Sequence, residues 1–254
     1  MNRYILPGLA GTALLALCAC SNDNNNTPPF TGAFRVVNGI SDSSNLSASA
    51  TSGFPSTAGV NFDIAGSIVN PPEGSYNVQL FNNGSSSSFF TVNNTSIQHN
   101  NLTTIYTNGS IGSSTGSGFA VIENLTAPSS TSQFTFQFVN DTTQTTTTTL
   151  DIYLVSVGAG ISGAQPTATA AAGNASTAAP ETGASYEIIV TNGTTTVFDS
   201  GTAGITLPTT DANVIQIGAL DATSAQASTY GNSPITLIIT DNNGGETIHY
   251  NGQG

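Results

Sequence analysis

Residues 134–140 and 149–157 read FTFQFVN and TLDIYLVSV, and segments of this type decide the fold. They are rich in β-branched and aromatic residues, and much of their length alternates apolar with polar side chains, which is the period of a β-strand. Similar segments recur along the chain between Asn-Gly, Gly-Ser and Pro turns. No sustained apolar stripe at helical spacing is present, so we predict an all-β protein in which helices are minor.

The predicted strands fall into two series of comparable length. The first series is at residues 34–38, 60–66, 75–81, 88–93, 102–108 and 119–124. The second series is at residues 134–140, 149–157, 185–192, 195–200, 204–208, 213–220 and 234–241. Many short strands without crossover helices favour antiparallel β-sandwiches.

The two series resemble one unit written twice, which predicts an internal repeat. The boundary falls at residues 126–131 (TAPSST), and sandwich domains are expected at residues 33–127 and 132–250. An Ala/Thr-rich stretch at residues 164–179 accounts for most of the difference in length and is interpreted as an insertion. The parallels are residues 34–38 with 137–140, Asp63 with Asp151, and Tyr76 with Tyr186.

Three segments carry a resemblance to a known family. They are LDIYLVSVGAGISGAQPTATAAAG (150–173), SYEIIVTNGTTTVFDSGTAGITL (185–207) and SPITLIITD (233–241), and they resemble the bacterial domain of unknown function 4397. The resemblance covers residues 134–241 and, more loosely, 34–124, where the YL…P loop is lacking. It implies two tandem Ig-like sandwiches in an anchored extracytoplasmic protein, and it supplies no catalytic residues.

The N-terminus has the layout of a secretory signal. Arg3 precedes an apolar stretch at residues 4–17 that is too short to span a bilayer comfortably. Leu17-Cys18-Ala19-Cys20 resembles the bacterial lipobox, which fits Cys20 but not Cys18, because Leu17 would occupy the small-residue position before Cys18. We therefore predict a lipoprotein signal peptide at residues 1–19 and acylation of Cys20, the alternative being an ordinary secretion signal with a free Cys20.

Lipidation would make Cys20 the membrane anchor of the mature chain. Residues 20–32 (CSNDNNNTPPFTG) lack periodicity and are predicted to be a flexible tether. Ser21 follows the anchor where an Asp would favour the inner membrane, so we expect the outer membrane of a bacterial cell envelope. Removal of Cys18 and acylation of Cys20 would leave no free thiol, which excludes disulfides, thiolate metal sites and cysteine nucleophiles.

The charge balance narrows the class of partner. The chain has 2 Lys and Arg residues against 14 Asp and Glu, a formal net charge of −12. Arg3 leaves with the signal, so Arg35 is the one lysine or arginine of the predicted mature chain. Nucleic-acid binding requires Lys and Arg to neutralise phosphates, and we exclude it on this ground.

Two glycine-containing motifs match the sequences of a dinucleotide site and of a hydrolase nucleophile, but neither has the following helix that such a site needs. Residues 158–163 match G-x-G-x-x-G, but a dinucleotide site needs a helix at that loop, and the following residues are rich in Pro and Gly. Ser114 lies in a G-x-S-x-G match at residues 112–116. A nucleophile elbow leads from a strand into a helix, whereas this loop precedes another predicted strand. Both motifs are interpreted as sandwich loops.

Metal binding has little support in the sequence. His99 and His249 are the two histidines, and each is expected to be an exposed loop residue. Asp241 to Glu246 (DNNGGE) could supply oxygen ligands to calcium, although Asn-Gly-Gly is also ordinary hairpin chemistry. Asp63 and Asp151 are expected to accept hydrogen bonds from turn amides. We predict no catalytic residues, no bound metal and no cofactor.

These features predict an exported, lipid-anchored envelope protein with a structural or binding role rather than an enzyme. One alternative is a carbohydrate- or surface-binding adhesin-like module, in which exposed aromatic residues would form a platform. An exported hydrolase is the other alternative, and it would require converging acids or a Ser–His pair. The candidate partner is a glycan or an envelope protein, both for the binding role and for the adhesin-like alternative.

Overall fold

A computed structural model describes residues 30–51, 53–82, 84–124, 128, 130–143, 149–207, 214–223, 233–241 and 248–251. The described residues form eighteen β-strands and no α-helix, which confirms the all-β prediction. In the same part of the chain, no helix is long and apolar enough to cross a membrane. The predicted signal peptide, Cys20 and most of the predicted tether lie outside the described residues.

The strands divide between the two halves of the sequence. The first half contains β1 (Ala33–Asn38), β2 (Leu46–Ser49), β3 (Ile64–Ala65), β4 (Gly74–Asn82), β5 (Phe90–Ile97), β6 (Asn101–Asn108) and β7 (Ser117–Asn124). The second half contains β8 (Gln133–Asp141), β9 (Thr149–Ser156), β10 (Ala168–Ala171), β11 (Asn174–Ala175), β12 (Ala179–Thr182), β13 (Ser185–Asn192), β14 (Thr195–Asp199), β15 (Ile205–Thr206), β16 (Val214–Asp221), β17 (Ile235–Asp241) and β18 (Ile248–Asn251).

Each half contributes two sheets. In the first half, the order of one sheet is β2-β4-β5 and that of the other is β3-β1-β6-β7. In the second half, one sheet is β10-β9-β13-β14, with β15 also pairing β13. The other is β11-β8-β16-β17-β18, with β12 also pairing β8. The β-sandwich architecture is confirmed, because apolar side chains pack between the two sheets of each half.

The strand pairing differs from the prediction in one respect. Most pairs are antiparallel, but β1 pairs β6 in parallel and β8 pairs β16 in parallel. Parallel neighbours need a long connection, and here the chain builds the other sheet of the same sandwich between them. The sequence pattern reports strands but not their partners, so it could not show this crossover.

Three apolar clusters stabilise the sheets. One fills the sandwich of the first half and includes Phe34, Val36 and Ile105. A second fills the sandwich of the second half and includes Phe136, Ile217 and Leu237. A third joins residues of both halves, namely Val37, Tyr106, Val121, Val139, Leu220 and Ile238. The sheet that contains β1 therefore packs face to face on the sheet that contains β8.

Both faces of these two sheets are covered, which explains their sequence. Along β1, Phe34 and Val36 belong to the first sandwich core, whereas Arg35 is also buried and Val37 belongs to the shared cluster. Strands buried on both faces read as nearly continuous apolar runs rather than as a strict alternation. The polar residues inside such runs are consequently buried as well, and Arg35 and Gln216 are examples.

The two halves repeat in their hydrogen bonds as well as in their strand order. Asn38 Oδ1 accepts the amide of Ile40, and its Nδ2 donates to the carbonyl of Val60. Asn140 Oδ1 accepts the amide of Thr142, and its Nδ2 donates to the carbonyl of Ala170. The hydroxyl groups of Tyr76 and Tyr186 likewise each donate to the carbonyl four residues earlier in the chain, at Pro72 and Thr182.

One proposed sequence parallel is wrong in the structure. The amide of Asp63 donates to the carbonyl of Asn38, at 2.7 Å, and Asp63 has a φ of 60°. The residue in the equivalent place of the second half is Gly173, whose amide donates to the carbonyl of Asn140 and whose φ is 72°. Asp151 instead lies within β9 and pairs with Thr169. The requirement for positive φ, which Gly meets most easily, links Asp63 to Gly173.

The Ala/Thr-rich stretch interpreted as an insertion forms part of the sheets. It contributes β10, β11 and the first residue of β12. β2 and β18 were also not predicted, because their sequences, LSAS and IHYN, lack a run of β-branched or aromatic residues. Two predicted segments are longer than the strands found in them. Residues 60–66 contain β3 and residues 204–208 contain β15, and each of these strands has two residues.

Candidate functional site

The most polar region of the interior lies between the two facing sheets, at Arg35. Its Nε donates to Thr104 Oγ1 at 3.1 Å, and its Nη1 donates to the carbonyl of Asp241 at 2.6 Å. Its Nη2 donates to Thr240 Oγ1 and to Gln216 Oε1, at 2.6 and 3.1 Å. Arg35 is 3% exposed. One side chain of the first half is thus hydrogen-bonded to two strands of the second half.

Glutamines extend this network across the sheet. Gln216 Nε2 donates to Gln137 Oε1 at 3.0 Å, and Gln137 Nε2 donates to the carbonyl of Ser176 at 3.1 Å. Tyr106 also donates its hydroxyl to Gln216 Oε1, at 3.3 Å. We call Arg35, Thr104, Tyr106, Gln137, Gln216 and Thr240 the buried polar layer. Burial lowers the pKa of Arg35, whereas Tyr106, Glu123 and Asp241 nearby act to raise it.

Glu123 lies at the margin of this layer, on β7. The side chain is 2% exposed, and neither carboxyl oxygen has a hydrogen-bond partner among the residues that the structure describes. Burial raises the pKa of Glu123 to about 8, although the nearby charge of Arg35 acts in the opposite direction. At neutral pH the carboxyl group is therefore mostly protonated, because ionising it without a partner in a dry interior is costly.

Tyr106 and Gly218 fit together where the two sheets meet. Tyr106 is fully buried, and burial raises the pKa of its phenol. A Cβ added to Gly218 would lie 2.6 Å from Cε1 of the Tyr106 ring. The ring also stacks on Phe119, with 6.2 Å between centroids and 22° between planes. Glycine at position 218 therefore provides the space that the ring occupies.

A second buried carboxyl group lies at the other end of the interface. Asp141 is fully buried, and its Oδ1 accepts from Asn108 Nδ2 at 2.7 Å, whereas Oδ2 has no hydrogen-bond partner in the described part of the chain. Burial raises the pKa of Asp141 well above its ordinary value, and the nearby Asp221 raises it further. This contact also joins the two halves, because Asn108 ends β6 and Asp141 ends β8.

Two surface depressions of about 500 Å³ each lie near these buried groups. The first lies where the two halves meet, and its lining includes Ser41, Ser110 and Asp221. Asp221 Oδ2 accepts the amide and hydroxyl of Thr143 there. Among the described residues, no group of three or more His, Cys, Asp or Glu side chains could hold a metal ion.

The second depression is an uncharged groove between β5 and β7. Its lining residues come from these two strands and include Phe90, Val92, Phe119, Ala120 and Ile122, with Asn and Thr side chains beside them. We call it the β5–β7 groove. Ile122 is 40% exposed, which makes it one of three large apolar residues that are exposed in the described part of the chain.

The Ser114 motif lies in a surface loop that Asp42 organises. Asp42 accepts the amides of Ile111 and Gly112, both at 2.8 Å, and the hydroxyl of Ser110. Slight burial acts to raise the pKa of Asp42, but these hydrogen bonds outweigh it, so its pKa is lowered. Ser114 has a φ of 55° in this loop. The loop leads into strand β7 and not into a helix, as the sequence predicted.

The remaining motif residues lie apart from one another. The loop at residues 158–163 has all three glycines at positive φ and leads to β10 rather than to a helix. His99 is exposed, as expected, and its Nδ1 lies 3.3 Å from the carbonyl of Thr31. The prediction that His249 is a loop residue is wrong, because His249 lies in strand β18, which pairs with β17. Asp241 ends β17. Residues 242–247, and with them most of the predicted calcium loop, lie outside the described residues.

Several residues that organise the interior were not singled out from the sequence. Asp42, which accepts the amides of Ile111 and Gly112 at the surface, was not named in the sequence analysis either. Arg35 was notable only as a rare cation, and Glu123 gave no signal beyond its presence in an apolar strand. A charged residue inside a continuous apolar run is the signal that could have identified both.

Comparison with protein-family models and with curated proteins finds no match to this chain. The resemblance to the domain of unknown function 4397 therefore stays a prediction.

Proposed function

We propose that this chain is an exported, lipid-anchored protein of the bacterial cell envelope with a structural or binding role and no catalytic activity. In this proposal, residues 1–19 are removed as a signal peptide, and acylated Cys20 anchors the chain in the outer membrane through a tether at residues 20–32. The body comprises two Ig-like sandwich domains related to the domain of unknown function 4397, within residues 33–127 and 132–250.

The proposal that the protein has no catalytic activity rests on where the ionisable groups with perturbed pKa values lie. Groups with perturbed pKa values mark catalytic sites when a substrate can reach them. Here Arg35, Tyr106, Glu123 and Asp141 are at most 3% exposed and lie between two packed sheets. Hydrogen bonds of Arg35, Tyr106 and Asp141 join sheets of the two halves, which is a structural use of polar groups.

The alternative functions gain no specific support from the described residues. A glycan-binding platform would need exposed aromatic side chains, and among the side chains that the structure describes, Phe30, at 61% exposure, is the one exposed Phe or Tyr. A hydrolase would need Ser114 to contact a base, but the loop around Ser114 is organised by Asp42 through hydrogen bonds to Ser110, Ile111 and Gly112. Neither function is therefore preferred over the structural or binding role.

Metabolic labelling tests the anchor directly. Cells that express the full chain are grown with a clickable fatty acid, and the protein is isolated and examined for label. The wild type and Cys18→Ala should be labelled, because only Cys20 fits the lipobox pattern. Cys20→Ala should lose the label. Label that persists on Cys20→Ala, or that disappears equally from Cys18→Ala, would contradict the proposed anchor.

A further inference from the structure

The sheet edges of this protein are protected in different ways. An exposed edge strand can pair with another chain, and proteins prevent this with short edges, bulges, prolines or lysines. Among the described strands at the edges, β2, β10 and β18 have four residues, β3 and β11 have two, and β12 contains Pro180. The pairing of β5 with β4 and that of β14 with β13 are each interrupted by a register shift.

Strand β7 is not short and has no register shift, proline or lysine, and the one edge-protecting feature in it is an inward-pointing charged residue, Glu123. The strand is eight residues long, pairs with β6 in unbroken register from Ser117 to Asn124, and ends its sheet in the described part of the chain. Its sequence, SGFAVIEN, contains no Lys, Arg or Pro. The charged residue in the strand is Glu123, which is buried. The outer edge of β7 is therefore long, regular and free of exposed charge.

The β5–β7 groove beside this edge is suited to an apolar strand. Its lining contains no charged residue, and Ile122 remains 40% exposed there. The occupant of such a groove must offer an extended backbone to β7 and apolar side chains at alternate positions.

The second half of the protein shows how an equivalent edge is covered. Strands β7 and β17 have equivalent places in their sheets. Strand β7 pairs with β6, which lies parallel to β1, and β17 pairs with β16, which lies parallel to β8. In the second half, β18 pairs with β17 from Ile248 to Asn251. In the described part of the first half, β7 pairs with β6 alone. The repeat thus contains a strand position that is filled once and open once.

We propose that β7 is a dimerisation edge that pairs with β7 of a second copy of this chain. Strand β7 itself has the chemistry that the open position requires, since it is extended, uncharged on its exposed surface and apolar at Ala120 and Ile122. Antiparallel pairing about a twofold axis would join two four-stranded sheets into one and would close the contact after two copies. The acidic composition of the chain favours this edge over other surfaces, because its contact brings no exposed carboxylates together. This inference does not depend on the lipid anchor.

Sedimentation velocity and hydrogen exchange test this edge in the purified full chain, kept in excess detergent. The wild type should form a dimer as concentration rises, and amide exchange in residues 117–124 should slow in parallel. Ile122→Lys places a charge on the edge and should remain monomeric with fast exchange there. Val157→Lys is the matched control, since Val157 is 42% exposed but lies after β9, and it should behave as the wild type.

The outcomes separate cleanly. A wild type that stays monomeric, with exchange in β7 independent of concentration, would overturn the proposal. So would a dimer that survives Ile122→Lys or is lost equally in Val157→Lys, and so would protection of β7 that appears only when a different protein is added. If Ile122→Lys does not fold, as judged by circular dichroism, Ile122→Thr is used in its place, because threonine keeps a β-branched residue in the strand. The decision then rests on whether amide exchange in β7 of the wild type slows as concentration rises.

Discussion

At the scale of single residues, the protein keeps a carboxyl group where water cannot solvate it. Within the described ranges Glu123 has no hydrogen-bond partner, and burial holds its pKa at about 8 instead of the ordinary 4.5. In the unfolded chain the group ionises at the ordinary value. Between about pH 4.5 and pH 8, the unfolded state has therefore released a proton that the folded state retains, and Glu123 lowers the stability of the protein as pH rises.

The substitution Glu123→Gln should remove this pH dependence, because an amide resembles the protonated carboxyl group in shape and cannot ionise. The free energy of unfolding of the variant should match that of the wild type near pH 4.5. It should exceed the wild-type value increasingly up to pH 8, by about a few kcal/mol. Urea unfolding followed by circular dichroism over this pH range measures the difference.

Asp42→Asn provides the control for this series. Its pKa in the folded state lies below the ordinary 3.8, so the carboxylate stays ionised in both states above pH 4.5. The difference between Asp42→Asn and the wild type should consequently be constant from pH 4.5 to pH 8. An equally flat difference for Glu123→Gln would show that Glu123 titrates normally.

At the scale of strands, the two halves fit together because the side chains at equivalent positions differ in size. Val37 pairs with Tyr106 between β1 and β6, and Val139 pairs with Gly218 between β8 and β16. Tyr106 and Gly218 thus have the same place in the repeat. The largest side chain of one sheet enters the space left by the absent side chain of the other, so the facing sheets approach closely.

Gly218→Ala should destabilise the protein by about 1–3 kcal/mol, because a fully buried Tyr106 ring cannot move to accept the new methyl group. The free energy of unfolding in urea measures this cost. The Tyr106→Leu background is the control, because a smaller side chain leaves room at position 218. There the same glycine substitution should cost much less. Equal costs in both backgrounds would mean that the ring is not the obstacle.

The sequence predicted most strands but not their arrangement. Segments with alternating β-branched and aromatic residues, such as 185–192, match the observed strand β13 exactly in extent. LSAS of β2 and the Ala/Thr-rich β10 become strands because neighbouring strands offer them hydrogen bonds, which is a tertiary effect. The parallel pairs and the burial of Arg35 depend on which sheets face each other, and a local pattern contains no information about that.

At the scale of the whole molecule, four sheets are joined by a polar interface. Each sandwich has its own apolar core, and the third cluster together with the buried polar layer connects the two halves. Arg35 alone donates to Gln216, Thr240 and the carbonyl of Asp241 in the second half. Because of this connection, the perturbed polar groups are part of the packing between the two halves.

Calorimetric unfolding of the full chain tests whether the buried polar layer has a structural role. The wild type should unfold in one cooperative transition, because the two halves share this layer. Arg35→Met removes the four hydrogen bonds that this buried side chain donates and should lower stability by about 3 kcal/mol or more. It should also separate the transition into two. A wild type that already unfolds in two transitions, with Arg35→Met unchanged from it, would contradict a structural role for the layer.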